Sequence, residues 1–212
     1  MGKKIQVVIF DVGGVLQLGK IPPSTVRGRS RELGIHETIT KKLKISLDQY
    51  FDSIDTIYAK SVEGKLSEKK VLEIMAENLK ISKNKLEKYY LEAYKKNFKF
   101  NQELFIFAKK IKKQGLRTAI LSDQWHLSKK ALVPKKFSKI FNPSIISCDV
   151  GMRKPNPEIY KLTLKKLKIK PREAVFIDNQ EWNLKPAEKL GMKTILFKNN
   201  KQTIKELEKL LE

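Results

Sequence analysis

Five short apolar runs recur along the chain, and between them lie segments whose apolar positions repeat every three to four residues. The runs are 5–10, 118–121, 144–147, 174–177 and 194–197. Short runs rich in β-branched residues predict buried parallel strands, and the helical periodicity between them predicts the crossover helices of such a sheet. The pattern therefore predicts an α/β fold with a doubly wound parallel sheet of five main strands.

The interval 18–98 breaks this alternation, because it contains helical patterns and no convincing strand. Ser67 and Ser82 stand where they can cap two of its helices, and an apolar stripe that includes Tyr50 and Ile54 predicts another. The simplest partition is a helical subdomain over 18–98, inserted into a core formed by 1–17 and 99–212. We expect the tyrosines of the insertion to pack in its interior rather than to stack on a substrate.

The charge of the chain bears on its partners. A formal net charge of +22 brings nucleic acid and anionic membrane surfaces into consideration. However, only six of the 45 basic residues are arginine, and the lysines are spread along the whole chain. We therefore expect no specific nucleic-acid partner, although non-specific polyanion binding stays open. The oligomeric state is open as well.

The single cysteine, Cys148, excludes an intramolecular disulfide and a multi-cysteine zinc site, which favours a reducing compartment. The first apolar run has about six residues, too few for a signal-peptide core or a membrane span. We expect a cytoplasmic protein with no membrane partner. Cys148 and Trp182 are interpreted as packing residues, and His36 and His126 as packing or helix-end residues.

Polar residues directly follow four of the predicted strands. They are Asp11, the pair Ser122–Asp123, Lys154 in the segment after the third strand, and the pair Asp178–Asn179. Ligands of open α/β sheets bind beyond the carboxyl ends of the strands. A helix cap or a tight turn explains each position alone. Together, these groups suit phosphate-ester chemistry, in which a carboxylate attacks, a metal offsets charge repulsion, and hydroxyl and lysine groups hold phosphoryl oxygens.

Four ordered motifs resemble those of the haloacid dehalogenase (HAD) superfamily of hydrolases. They are IFDVGGVL at 9–16, ILSD at 120–123, GMRKPNPEIY at 151–160, and VFIDN at 175–179 followed by Asn183 and Gly191–Met192. The resemblance spans essentially the whole chain and implies a Rossmann-like core with a small α-helical cap. Including EGKLS at 63–67, the chain is similar to the subgroup of sugar-phosphate phosphatases and the amino-terminal phosphatase domain of epoxide hydrolases.

The resemblance also implies roles for individual residues. Asp11 would take the phosphoryl group as an acyl phosphate, Ser122 would hydrogen-bond a phosphoryl oxygen, and Lys154 would neutralise nucleophile and phosphate. The implied phosphate-binding set is Gly13, Gly14, Ser122, Asp123 and Lys154. The placement of Lys154 is physically sensible, because Asn156 can cap the next helix and Pro157 can begin it.

By the same resemblance, Mg²⁺ would sit between Asp11, the carbonyl of Gly13, and the pair Asp178 and Asn179, which form a hard oxygen environment. Two of these positions depart from the usual phosphatase pattern. Gly13 replaces a second Asp that serves as general acid and base, a function typically worth about 10²–10⁴-fold in rate. Asn179 replaces an acidic metal ligand and supplies no negative charge.

These departures leave three hypotheses. The first is a Mg²⁺-dependent phosphatase of small phosphorylated metabolites, slowed by the two replacements. The second is a metal-independent, dehalogenase-like hydrolase. It has no clear equivalent of that group's halide-binding arginine; Arg27, Arg29 and Arg31 are candidates by location, but we interpret them as surface charges of the cap. The third is a catalytically weakened phosphate-binding or regulatory protein. The sequence does not identify the substrate.

Overall fold

The computed structural model describes residues 5–19 and 33–212. In chain order the strands are β1 (Val7–Phe10), β2 (Gln17–Gly19), β3 (Phe98–Phe100), β4 (Arg117–Ser122), β5 (Ser144–Ile146), β6 (Ala174–Asp178) and β7 (Lys193–Leu196). The helices are α1 (Leu33–Leu43), α2 (Leu47–Val62), α3 (Glu68–Asn78), α4 (Lys83–Asn97), α5 (Gln102–Lys113), α6 (His126–Leu132), α7 (Ser147–Val150), α8 (Pro157–Leu167), α9 (Glu181–Lys189) and α10 (Asn200–Leu211).

The central sheet has the strand order β5-β4-β1-β6-β7, and all its neighbouring strands are parallel. Both faces are covered, as a parallel sheet requires. Val8 and Phe10 of β1 belong to a core that includes apolar residues of α5 and α10. Val7 and Ile9, which point to the opposite face, pack in a second core with residues of α8 and α9. The predicted doubly wound sheet of five strands is confirmed.

Among the described residues between β2 and β3 there are four helices, α1 to α4, and we refer to residues 33–97 as the helical segment. Ser67 caps α3 by accepting a hydrogen bond from the amide of Lys70, and Ser82 caps α4 in the same way, as predicted. The prediction of no strand near the ends of this interval was wrong, because β2 and β3 pair antiparallel there. Strands of three residues are too short to produce a readable alternation. The division into core and cap stays a prediction.

The helical segment is fixed to the elements around β4 by specific contacts. The indole Nε1 of Trp125 donates to the Tyr94 hydroxyl at 2.7 Å, and His126 Nε2 lies 2.9 Å from the carbonyl oxygen of Leu66. Gly64, at φ +65°, approaches α7 so closely that a Cβ there would lie 2.7 Å from the Cys148 carbonyl oxygen. Residues that directly follow β4 therefore tie the helical segment to the sheet.

The burial of individual side chains tests the predictions for Cys148, His36, His126 and Trp182. Cys148 and His36 are buried, and His126 begins α6, so the packing and helix-end interpretations are confirmed. The packing interpretation of Trp182 was wrong, because its side chain is 60% exposed. Leu184 is buried on the side of α9 that faces the sheet, and Trp182, two residues earlier in the helix, lies on the other side. Within residues 5–19 and 33–212, no helix is long and apolar enough to cross a membrane.

Candidate active site

The register of the sheet brings the first and last site carboxylates together. Phe10 in β1 pairs with Ile177 in β6, so the next residues, Asp11 and Asp178, lie side by side at the carboxyl edge. On the other side of β1, Phe10 pairs with Ile120, and Ser122 ends that strand at the same edge. Three polar side chains that are far apart in sequence are therefore neighbours because their strands are parallel and in register.

Lys154 lies between the two carboxylates. Its Nζ is 3.1 Å from Asp11 Oδ1 and 2.6 Å from Asp178 Oδ2, and its side chain is only 1% exposed. Its backbone amide donates to Asp123 Oδ1 at 3.0 Å, which fixes the loop against the end of β4. Lys154 therefore holds three carboxylates at the edge of the sheet, Asp11 and Asp178 through its buried ammonium and Asp123 through its backbone amide.

Local sequence explains why the loop holds this lysine in place. Gly151 ends α7 with φ +71°, a left-handed conformation that glycine adopts without strain. Asn156 then caps α8 by accepting from the amide of Glu158 at 3.0 Å, and Pro157 occupies the first turn. The loop that carries Lys154 is thus anchored at both ends. The cap by Asn156 and the start of α8 at Pro157 were predicted from the sequence.

Burial and charge act in opposite directions on the cluster. Burial raises the pKa of Asp11 to about 6, the charge of Lys154 opposes this rise, and the charge of Asp178 adds to it. The pKa of Asp123 is also raised, again mainly by burial. Burial lowers the pKa of Lys154, but the surrounding carboxylates outweigh it and raise the pKa well above its ordinary value. The lysine therefore stays charged, whereas Asp11 titrates closer to neutrality than an ordinary aspartate.

Asp178 and Asn179, at the carboxyl end of β6, differ in their hydrogen bonds. Asp178 accepts from Lys154 Nζ, from the side-chain amide of Asn183 at 3.1 Å and from the backbone amide of Gln180 at 2.8 Å. Asn179 differs, because both polar atoms of its buried amide lack a hydrogen-bond partner among the described residues. In this arrangement Asn179 has a free oxygen to offer a ligand, and Asp178 is already engaged.

The oxygen atoms around the cavity floor are the possible ligands of a cation. Within residues 5–19 and 33–212, no group of three or more His, Cys, Asp or Glu side chains could hold a metal ion. The available donors are instead the carboxylate of Asp11, the carbonyl of Gly13 and the orphaned amide oxygen of Asn179. These are hard oxygen ligands of the kind that Mg²⁺ accepts, so the residues fit this ion, with one carboxylate supplying the charge.

A cavity of about 570 Å³ opens over this cluster. Every predicted site residue except Ser122 and Asp178 lines it, and these two are fully buried beneath it. Sequence reasoning missed its apolar wall, which consists of Leu18, Phe98, Leu132 and Phe197. Phe98 and Leu18 belong to the short ribbon of β3 and β2, whose strands gave no readable signal. The wall offers a leaving group an apolar surface beside the charged floor.

Gln124 is a second residue that sequence reasoning missed. It is 5% exposed, lines the cavity, and donates through Nε2 to Ser122 Oγ at 3.0 Å. Its position two residues beyond Ser122, at the carboxyl end of a predicted strand, was the available signal. Arg27, Arg29 and Arg31, the candidate halide-binding residues, lie outside the described residues.

With this geometry in view, comparison with known proteins decides the family. The family model of haloacid dehalogenase-like hydrolases matches residues 5–191. The chain belongs to the haloacid dehalogenase-like hydrolases. The family resemblance inferred from the four motifs is therefore confirmed, and this HAD hydrolase shares its fold class with solved members.

The HAD hydrolase is also similar in sequence to individual members of the family. It is 33% identical over 226 residues to Bifunctional epoxide hydrolase 2 of Mus musculus, a match covering 97% of the chain but 39% of that relative. The chain thus spans about 39% of the length of this curated relative. It is 31% identical over 105 residues to Glyceraldehyde 3-phosphate phosphatase of Pyrococcus furiosus, covering 47% of the chain and 42% of the relative.

A solved structure supports the fold of the HAD hydrolase. A HAD family enzyme of Bacteroides thetaiotaomicron, in complex with magnesium and inorganic phosphate, superimposes with a TM-score of 0.70 at 22% identity. The match covers 90% of this chain and 93% of that one. At this identity the likeness establishes the common architecture, which agrees with the order and direction of the strands.

Proposed function

We propose that this HAD hydrolase is a Mg²⁺-dependent phosphatase of small phosphorylated metabolites that acts through an aspartyl phosphate on Asp11. The observation that carries the proposal is the placement of Asp11 at the floor of the cavity, 3.1 Å from a buried lysine ammonium. A carboxylate can attack a phosphate dianion only where the negative charge of both is offset. Lys154 supplies one such charge without leaving the interior.

The first chemical step joins Asp11 to phosphorus. An Oδ–P bond forms, the P–O bond to the leaving group breaks, and the leaving oxygen takes up a proton. Gly13 has no side chain to give that proton, so we assign it to water in the cavity. Water then attacks phosphorus, which releases inorganic phosphate and returns the Asp11 carboxylate. Lys154 remains protonated throughout, because the carboxylates around it raise its pKa.

Asp11, the Gly13 carbonyl and Asn179 would hold the metal, with Asp178 engaged by Lys154. When bound, Mg²⁺ supplies positive charge and Lewis acidity to the phosphoryl oxygens. The ligand role of Asp178 stays a prediction. Supporting the choice of ion, a structural neighbour with the same fold was solved with magnesium and phosphate.

The leaving group would lie against the apolar wall, with the helical segment acting as a cap. Phe98 of β3 and Phe197 after β7 form part of this wall, and the phosphoryl group would occupy the polar floor near Asp11. A cavity of about 570 Å³ accommodates a small phosphorylated metabolite. The proposal includes no specific nucleic-acid partner, because no step of the chemistry calls on the basic surface.

Hydrolysis of p-nitrophenyl phosphate tests the proposal. We expect release of p-nitrophenol that requires added Mg²⁺, disappears with a chelator, and is abolished in Asp11→Asn. Lys154→Gln, which retains most of the side chain's volume without its charge, should lose most of the activity as well. Metal-independent halide release from a 2-haloacid, without phosphatase activity, would favour the dehalogenase hypothesis. Phosphate binding without either activity would favour a binding protein.

A further inference from the structure

Gln124 is a buried polar residue that lines the cavity and is not among the residues assigned to the reaction above. It lies in the loop between β4 and α6, where two hydrogen bonds join its backbone to the Ser147 side chain. The Gln124 amide donates to Ser147 Oγ at 3.0 Å, and the same hydroxyl donates to the Gln124 carbonyl at 3.1 Å. The next residue, Trp125, is tied to the helical segment through Tyr94. The backbone that carries the Gln124 side chain is therefore fixed on both sides.

The Gln124 side chain determines the direction of one hydroxyl. Its Nε2 donates to Ser122 Oγ at 3.0 Å, so this bond occupies a lone pair of the serine oxygen. A serine hydroxyl carries one proton, and a hydroxyl that accepts on one side is free to donate on the other. Asp11 lies beside Ser122 on the neighbouring strand end, where the serine hydroxyl opposes part of the rise in the Asp11 pKa that burial causes. With Gln124 as its donor, the Ser122 hydroxyl keeps its own proton for an acceptor in the cavity near Asp11.

Gly13 leaves room for this arrangement. A Cβ at Gly13 would have Gln124 Nε2 as its nearest neighbour, at 3.8 Å, so the glutamine amide lies directly over the glycine. The absence of a side chain at residue 13 thus brings the Gln124 amide to the surface of the cavity, beside the atoms that would react.

We infer that Gln124 is a positioning residue that fixes the Ser122 hydroxyl as a hydrogen-bond donor to the reacting phosphoryl group. The inference rests on the proposed function, because the acceptor of the Ser122 hydrogen bond is an oxygen of the bound phosphoryl group. Without the amide of Gln124, the hydroxyl can rotate and donate elsewhere. The loss is then one oriented hydrogen bond to a charged group.

A double-mutant cycle between Gln124→Met and Ser122→Ala tests the inference. Methionine retains the length of the side chain but has no donor for Ser122. Two quantities are measured with Mg²⁺ present: the Kd of inorganic phosphate by calorimetry, and kcat/KM for p-nitrophenyl phosphate. We expect Gln124→Met to weaken each by about tenfold in the otherwise unchanged protein, the loss of one charged hydrogen bond. In the Ser122→Ala background, the same change should alter each by less than about twofold.

The cycle separates a positioning role from a structural one. Equal losses in both backgrounds, or no loss in the unchanged protein, would overturn the inference, because neither result passes through Ser122. If Gln124→Met does not fold, Gln124→Asn takes its place, since the shorter amide cannot reach Ser122. Phosphate binding without hydrolysis refutes the proposed function, and the binding cycle still decides the role of Gln124. A protein that neither binds phosphate nor hydrolyses the ester refutes both.

Discussion

Asp178 and Asn179 are adjacent in the chain but have opposite bonding states. The Asp178 carboxylate accepts three hydrogen bonds, from Lys154, Asn183 and the Gln180 backbone, whereas the Asn179 amide is buried with no partner among the described residues. A buried polar group without a partner costs free energy, so its retention points to a ligand that satisfies it. Asn179 is therefore the open position of the pair.

Replacing Asn179 with Asp should strengthen metal binding. The substitution adds a charge to an oxygen ligand without changing its reach, and cation affinity rises with ligand charge. We expect the Mg²⁺ concentration for half-maximal p-nitrophenyl phosphate hydrolysis to fall by about tenfold, an electrostatic gain on the order of 1.4 kcal/mol. Asn179→Ala is the matched control and should raise it. An unchanged half-saturation point in Asn179→Asp would show that residue 179 does not contact the metal.

Replacing Gly13 with Asp should raise the rate. Gly13 has no left-handed φ, and a Cβ there meets nothing closer than Gln124 Nε2 at 3.8 Å, so the backbone and the first side-chain atom are both accommodated. The new carboxyl group could protonate the leaving oxygen, and we expect kcat to rise by about tenfold or more. Gly13→Asn is the control of equal volume without proton transfer. If both variants change kcat alike, the missing acid does not limit turnover.

Asp11 should make stability depend on pH. Its pKa is raised from an ordinary value of 3.8 to about 6, so between these values the folded state binds more protons than the unfolded chain. Ionisation of the buried carboxyl group therefore destabilises the folded protein as pH rises. This loss of stability is absent below about pH 4 and complete above about pH 6. We take the free energy of unfolding of Asp11→Asn minus that of the original protein, both measured with a chelator. We expect this difference to increase by about 3 kcal/mol between pH 4 and pH 8.

Chemical denaturation at several pH values measures this difference. If the difference between the two free energies of unfolding stays constant from pH 4 to pH 8, or decreases as pH rises, burial does not destabilise the ionised Asp11 carboxylate. The chelator matters because a bound cation would favour the ionised carboxylate and mask the effect.

Gly64 should be intolerant of any side chain. It shares a left-handed φ with Gly115, at +65° and +92° respectively, but only at Gly64 would a Cβ clash, 2.7 Å from the Cys148 carbonyl oxygen. Gly115→Ala is thus a matched control for backbone strain alone. We expect Gly64→Ala to lower the free energy of unfolding by about 1–3 kcal/mol more than Gly115→Ala does. Equal losses in thermal or chemical unfolding would mean that the helical segment tolerates displacement from α7.

The fold could be predicted closely where burial is uniform. All four residues of β1 are buried, and such runs, together with the serine caps at Ser67 and Ser82, mark their elements in the sequence itself. The ribbon of β2 and β3 could not be predicted, because three residues carry no period. Trp182 was misjudged because which side of α9 faces the sheet depends on tertiary packing.

The candidate site was predictable as a set of residues, but its bonding was not. Asp11 and Lys154 follow from motifs at strand ends, and the register of the sheet brings them together. That Asp178 is engaged and Asn179 is free depends on partners supplied by other loops. The role of Gln124 likewise depends on where its side chain ends, which sequence spacing does not determine.

The proposed mechanism requires that Asp11 becomes covalently phosphorylated during turnover. The direct measurement mixes the protein with p-nitrophenyl phosphate and Mg²⁺, quenches in acid, which preserves acyl phosphates, and analyses peptides by mass spectrometry. We expect one phosphoryl group on Asp11 in the original protein and none in Asp11→Asn, which should also have no turnover. Turnover that persists in Asp11→Asn, or a phosphoryl group found on another residue, would contradict it.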